Sequence, residues 1–260
     1  MAGPFQYVTT NNFFSYTPTA AGSFTGFPPT LMGDWNGTRP LVRAWRAGGI
    51  TPNAINFAFG GVRSGTWVAI LNANFTTLGI GIGNGTTFTD IMTGSPSFTM
   101  RTITQDLQDP EGYYKFFLPT AYSGSVGRFE IPAQATTDGA PYFRIGLAAW
   151  GNSIVTMSHN FFAPLTEDYV DPEYRVEGKD WTEGYPAGIR YKTLAPRQRF
   201  RTTQSAQWHR LRLIRPSERI LAYFNLDDSS EVYLWERNRG VSISRQGISQ
   251  EIDTGFRTIA

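Results

Sequence analysis

At 260 residues and a net charge of +2, the chain can bury a substantial core as one all-β domain or two small ones. Its 27 glycines, 16 prolines and 15% aromatic residues, against 17% charged, suit short strands joined by turns and argue against a helical protein. With no cysteine, disulfides, thiolate metal sites and cysteine nucleophiles are excluded, and no apolar run is long enough to cross a bilayer as a helix.

Residues 1–34 hold Phe5, Tyr7, Phe13, Phe14, Tyr16, Phe24 and Phe27 among turn-forming residues, almost without charge. They read as an extended N-terminal arm ordered against a neighbouring surface. The other reading is a first strand and loop packed on the chain's own domain. MAGPFQYVTTNNFFSYTP lacks the basic start and long apolar core of a secretory signal. Without secretion, the sequons at Asn36, Asn74 and Asn84 carry no expectation of glycans.

Two β-rich runs follow, Ile50–Phe59 and Thr66–Phe75, separated by Gly60-Gly61 and Ser64-Gly65. Ile55, Phe57 and Phe59 lie at period two, as do Trp67, Ile70 and Asn72 after a one-residue shift, which suits strands with one buried face. Gly79, Gly81, Gly83 and Gly85 then alternate. They lack the following helix and acidic partner of a dinucleotide fingerprint, so the stretch reads as a flexible loop or glycine-softened strand. Phe98–Thr104, Tyr113–Leu118 and Arg128–Ile131 read as strands. Tyr142–Trp150 and Ile154–Phe162 read as a hairpin closing a sandwich around Gly151-Asn152.

Leu211–Ile214, Ile220–Leu226, Val232–Glu236 and Val241–Ser244 read as further strands. Residues 167–183 carry seven acids, and 190–219 carry nine bases against Glu218 alone. Arg197, Arg199 and Arg201 share one face of a strand at period two, and Arg210 and Arg212 continue the run. They are the candidates for contact with RNA or an adjacent subunit; the alternative is neutralisation by the preceding acidic run.

Enzyme motifs are missing: there is no G-x-S-x-G, H-E-x-x-H or Walker A sequence. His159 reads as a packed histidine, and His209 sits within the basic run. Neither implies a metal, and no cofactor is expected. Asp227-Asp228 is the one carboxylate pair able to split its pKa values; its other reading is a polar turn.

The step Ala44-Trp45-Arg46-Ala47-Gly48-Gly49, followed by Val62-Arg63-Ser64-Gly65-Thr66-Trp67, resembles the middle of a capsid subunit of picorna-like RNA viruses, dicistroviruses above all. Phe-Glu-Ile-Pro, Pro-Tyr-Phe-Arg-Ile and the tail Glu167-Asp168-Tyr169 are similar to that family's closing strands. The resemblance implies an eight-stranded antiparallel jelly-roll β-sandwich with an arm over 1–34 and a capsid domain over 35–225. A closing point near 165 is the alternative, and a C-terminal segment covers 226–260. It also implies a non-enzymatic coat protein that assembles with sister subunits into an icosahedral shell around genomic RNA. Such a protein would lie in the virion and in host cytoplasm during assembly, with a host receptor as a further partner and no membrane span. Asp227 and Asp228 would match an Asp-Asp-Phe element proposed to assist precursor cleavage, although Ser229 stands in the third place.

Two other readings are a viral attachment domain and a carbohydrate-binding β-sandwich. The latter would use Trp35, Trp45, Trp181 and Tyr185 as platforms.

Overall fold

A computed structural model describes residues 6–9, 12–33, 44–103 and 113–156, and beyond them the eight strands from Thr166 onward that are given below. In chain order the strands begin with β1 (Gln6–Val8), β2 (Thr17–Ala20), β3 (Trp45–Arg46), β4 (Asn53–Gly65), β5 (Trp67–Ala73), β6 (Thr77–Gly83) and β7 (Phe88–Asp90). Next come β8 (Arg101–Thr102), β9 (Tyr113–Phe117), β10 (Tyr122–Ile131), β11 (Arg144–Ile145), β12 (Leu147–Gly151), β13 (Val155–Thr156) and β14 (Thr166–Val170). The last are β15 (Glu173–Glu177), β16 (Thr182–Pro186), β17 (Tyr191–Ala195), β18 (Arg197–Arg201), β19 (Arg219–Tyr223), β20 (Tyr233–Gln246) and β21 (Ser249–Thr258). Apart from short 3-10 turns such as Pro29–Gly33, the described residues hold no helix.

Among the described residues the protein is all-β, with its strands paired antiparallel. One sheet runs β2-β4-β10-β6-β7 with β8 beside β6, and a second runs β12-β5-β9. From β4 onward the longer strands β4, β5, β6, β9, β10 and β12 alternate between these two sheets. The counts of six and three among the described residues differ from the expected eight-stranded arrangement.

Alternation produces the faces. Ile55, Phe57 and Phe59 of β4 are buried while Ala54, Asn56 and Ala58 take the opposite side. β10 answers with Phe129 and Ile131, and β6 with Leu78, Ile80 and Ile82. From the other sheet, Trp150 stacks on Phe129 at 5.4 Å and meets Phe57 and Phe59 at 5.6 Å each. Gly127 makes room for it, because a Cβ there would lie 2.6 Å from Trp150 Cζ2. Burying an aromatic of this size contributes about 2–3 kcal/mol.

Several expectations change. β5 is buried on both faces, not one. Trp67 lies edge-on to Phe13 at 5.1 Å and near Phe116 at 5.7 Å. Asn72 leaves the alternation altogether. It takes a left-handed φ of 53°, a conformation asparagine tolerates, where the β5–β9 register shifts between Ile70 and Ala73.

Residues of the expected arm are built into the fold. β1 pairs with β13 and β19, β2 pairs with β4, and Phe14 packs edge-on to Phe59 at 5.5 Å. The Tyr16 hydroxyl donates to the carbonyls of Met32, at 3.0 Å, and Ala148. Its burial pushes the phenol far above its ordinary pKa.

The expected hairpin around Gly151-Asn152 does not form among the described residues, which include only 154–156 of its second strand. β12 pairs with β5, whereas β13 pairs with β1. The Gly151 carbonyl is instead taken by Thr66 N–H at 3.0 Å and the Tyr122 hydroxyl at 3.1 Å.

The alternating glycines form strand β6. Its glycine face is floored by a returning segment: a Cβ on Gly81 would strike the Phe98 ring, and one on Gly79 would lie 3.2 Å from Met100 Cε. The loop that delivers Phe98 is anchored by Asp90, which is buried. Its carboxylate accepts from the N–H groups of Met92 and Thr93 at 2.9 Å each and of Thr99 at 3.0 Å, and it forms a forked pair with Arg101. Burial alone would raise the carboxyl's pKa. The Arg101 guanidinium and these N–H groups outweigh that and hold it well below the usual carboxylate range.

A third sheet runs β13-β1-β19-β20-β21-β17-β14, with β18 on β21. The segment expected beyond 225 therefore supplies two central strands of this sheet.

Candidate functional site

The sequence-predicted positions scatter. Asp227, Asp228, Arg210, Arg212, His159, His209, Trp35 and Trp181 lie outside the described residues. The register sets Arg197 opposite Asp253, Arg199 opposite Glu251 and Arg201 opposite Ser249. Two acidic positions of the C-terminal β21 thus stand opposite the arginine strand. Tyr185 lies on β16, opposite Tyr174 of β15. Among the described residues, no group of three or more His, Cys, Asp or Glu side chains could hold a metal.

Trp45 is not a platform: it is fully buried. β3 alternates, so Trp45 points into the core with its register partner Ile145 while Arg46 and Arg144 take the outer face opposite one another. The Trp45 indole N–H donates to Ser23 Oγ at 3.0 Å and so tethers the loop carrying the next aromatic. Phe24 N–H donates to the Arg46 carbonyl at 2.9 Å, and Phe27 N–H closes a turn onto Phe24 O at 3.0 Å. Gly26, at φ 84°, fills the third place of that turn, where a positive φ is needed.

The result is an aromatic and cationic face. Phe24 is half exposed, with its ring centroid 6.1 Å from that of Tyr142. The Arg46 guanidinium carbon lies 3.8 Å from the Phe27 ring centre and 4.9 Å from that of Tyr142, within cation–π reach of both rings.

Asn74 fixes the other side of this face. Fully buried, its amide donates to Asp138 Oδ1 at 3.1 Å and Tyr142 O at 3.0 Å, and it accepts from Arg144 N–H at 2.7 Å. Asp138 also accepts from Ala140 N–H at 3.1 Å and pairs with Arg144 at 3.0 Å. The sequon at Asn74 is thus closed to glycosylation, whereas Asn84 is exposed in a turn where its Oδ1 accepts from Thr86 and Thr87. Sequence reasoning missed Phe24, Phe27, Tyr142 and Asn74 as parts of one face. The usable signals were Phe-Thr-Gly-Phe as a turn presenting aromatics and the inward-outward step Trp45-Arg46.

No protein-family model and no curated protein matches the chain. Among solved structures it is similar to chitosan-binding module 1 of a chitosanase/glucanase from Paenibacillus sp. IK-5, at 18% identity and a TM-score of 0.37, covering 53% of this chain and 95% of that one. It is also similar to the CBM32 of AlyQ in complex with 4,5-unsaturated mannuronic acid, at 15% identity and TM-score 0.38, covering 57% and 98%. A putative alpha-L-fucosidase from Bacteroides thetaiotaomicron is similar at 11% identity and TM-score 0.42, covering 56% of this chain and 29% of that enzyme.

The expected coat-protein function is corrected at this point, since these similar structures are carbohydrate-binding modules and a glycoside hydrolase, not capsid subunits. The physical reason is that the residues carrying the capsid resemblance have general sandwich roles. Trp45 fills the core, Gly48 permits a close approach in which its N–H meets Gly22 O, and Gly65 leaves room for the Tyr122 ring.

Proposed function

We propose that this chain is a carbohydrate-binding module, non-catalytic in itself, built on a jelly-roll-type sandwich. The observation that carries the reading is the half-exposed Phe24 ring set beside Tyr142 and the stacked Arg46 guanidinium. A pyranose offers a C–H face that stacks on an aromatic ring, and hydroxyls that accept from a guanidinium. Few polar groups placed around an apolar surface orient such a ligand. Backbone hydrogen bonds from Phe24, Phe27 and Phe143 hold the loops, so little ordering cost attends binding.

The test is a glycan array with the full chain, followed by calorimetry on the ligands retained. Phe24→Ala is expected to weaken binding roughly tenfold with the thermal midpoint unchanged, because the ring is half exposed. Failure to retain any glycan would sink the reading.

A further inference from the structure

We propose that Asn84 is a self-modification site, at which the turn between β6 and β7 promotes conversion of its own side-chain amide to a carboxylate through a cyclic imide. The proposal is independent of the carbohydrate reading. Asn84, Gly85, Thr86 and Thr87 are all exposed. Asn84 N–H donates to Thr87 O at 3.2 Å and closes the turn. Its Oδ1 accepts from the N–H groups of Thr86 and Thr87 at 2.9 Å each, and from Thr87 Oγ1 at 3.3 Å. The bond from Thr86 N–H closes a ring that contains both Asn84 Cγ and the Gly85 nitrogen, the two atoms that must join.

Gly85 suits the nucleophile's place. Its N–H makes no hydrogen bond among the described residues, so hydroxide can take the proton without breaking one. Its φ of 100° is open to glycine, and no side chain crowds the attack. The Gly85 nitrogen bonds to Asn84 Cγ, and the negative charge passes to Oδ1, which already faces its donors from Thr86 and Thr87. Donors fixed before charge develops stabilise it without reorganisation. The Cγ–Nδ2 bond then breaks, and Nδ2 takes a proton from water and leaves as ammonia. Ring closure within one residue pair has the advantage of proximity. Water opens the imide at either carbonyl, breaking that carbon's bond to the Gly85 nitrogen. Aspartate or its iso form results, with no change of oxidation state.

The same chemistry is blocked at Asn74. That side chain is fully buried, its Nδ2 is committed to Asp138 Oδ1 and Tyr142 O, and its Oδ1 to Arg144 N–H. Asn84 Nδ2 has no such tether among the described residues and can depart into solvent. The iso product adds a methylene to the main chain of a close turn, where a Cβ on Gly83 would lie 1.8 Å from Thr87 O. Conversion therefore loosens the β6–β7 connection and lowers the net charge of +2.

The experiment incubates the full chain in mildly alkaline heavy-oxygen water and follows it by cation exchange and peptide mapping. The map separates Asn84 from the other Asn-Gly pair, Asn36-Gly37, and a synthetic peptide of residues 80–90 is the reference. In the folded chain Asn84 is expected to convert roughly threefold or more faster than in the peptide. Both aspartate forms should appear with heavy oxygen incorporated, and Asn74 should keep its amide. Thr87→Val, which removes one donor at an exposed position, should slow the folded chain roughly threefold. Thr87→Ser keeps the hydroxyl and should convert like the wild type. A folded chain that converts no faster than the peptide overturns the proposal, since the fold then gives Asn84 no help. A Thr87→Val chain as fast as the wild type overturns it as well.

Discussion

Trp45 and Arg46 are neighbours in sequence and belong to different layers of the molecule. The indole goes to the core and the guanidinium to the surface because successive strand residues point to opposite faces. The sequence reading carried that step only as part of a family resemblance and offered Trp45 as an exposed platform. The site above it was not legible, since Phe24, Phe27 and Tyr142 come together only through pairing between segments far apart along the chain. Asn74 was equally hidden: in sequence it is half of a sequon, whereas in the fold it ties Asp138, Tyr142 and Arg144 together. Replacing it with alanine leaves buried donors and acceptors unmade, at about 1–3 kcal/mol. Asn74→Ala is therefore expected to lower the urea midpoint and to weaken ligand binding along with it. Undiminished binding in that variant would show that the loop holds itself.

Among the elements, β6 and its covering loop reward attention to face. Alternation of glycine with isoleucine was visible, and so was the absence of a nucleotide-binding helix. What the pattern could not reveal is that the glycine side is a seat for Phe98, delivered by the loop that Asp90 organises. The Asp90 carboxyl is held below its ordinary value in the folded chain, so its contribution is complete above the unfolded value of about 4. It is lost progressively as the pH falls below that value. The urea midpoint of the wild type is expected to drop from pH 5 to pH 3. Asp90→Asn should start lower at pH 5 and show a smaller drop. The same acid dependence in both proteins would assign it to other carboxylates. The basic run teaches a similar lesson: its clustering was plain, but the register partners of Arg197 and Arg199 lie on β21, which no local pattern indicates.

For the whole molecule, the all-β antiparallel class follows from composition and alternation, because glycine, aromatic and β-branched residues at period two have few other stable uses. The assignment of strands to sheets does not follow, as the failed Gly151-Asn152 hairpin shows. Trp150 couples the two sandwich sheets through Phe57, Phe59 and Phe129. Trp150→Ala is expected to cost about 3–5 kcal/mol in a single cooperative transition measured by fluorescence and circular dichroism. Separate transitions would mean that the sheets unfold independently. β1 carries a consequence of another kind. Gln6 lies between Thr156 on one side and Tyr223 on the other. During synthesis β1 thus leaves the ribosome long before β19, and at about 5–20 residues per second it waits on the order of ten seconds or more for that partner. Until residue 223 emerges, one edge of β1 stays open to any strand that passes, so a chain cut short before β19 should be far more prone to aggregate than one that carries it.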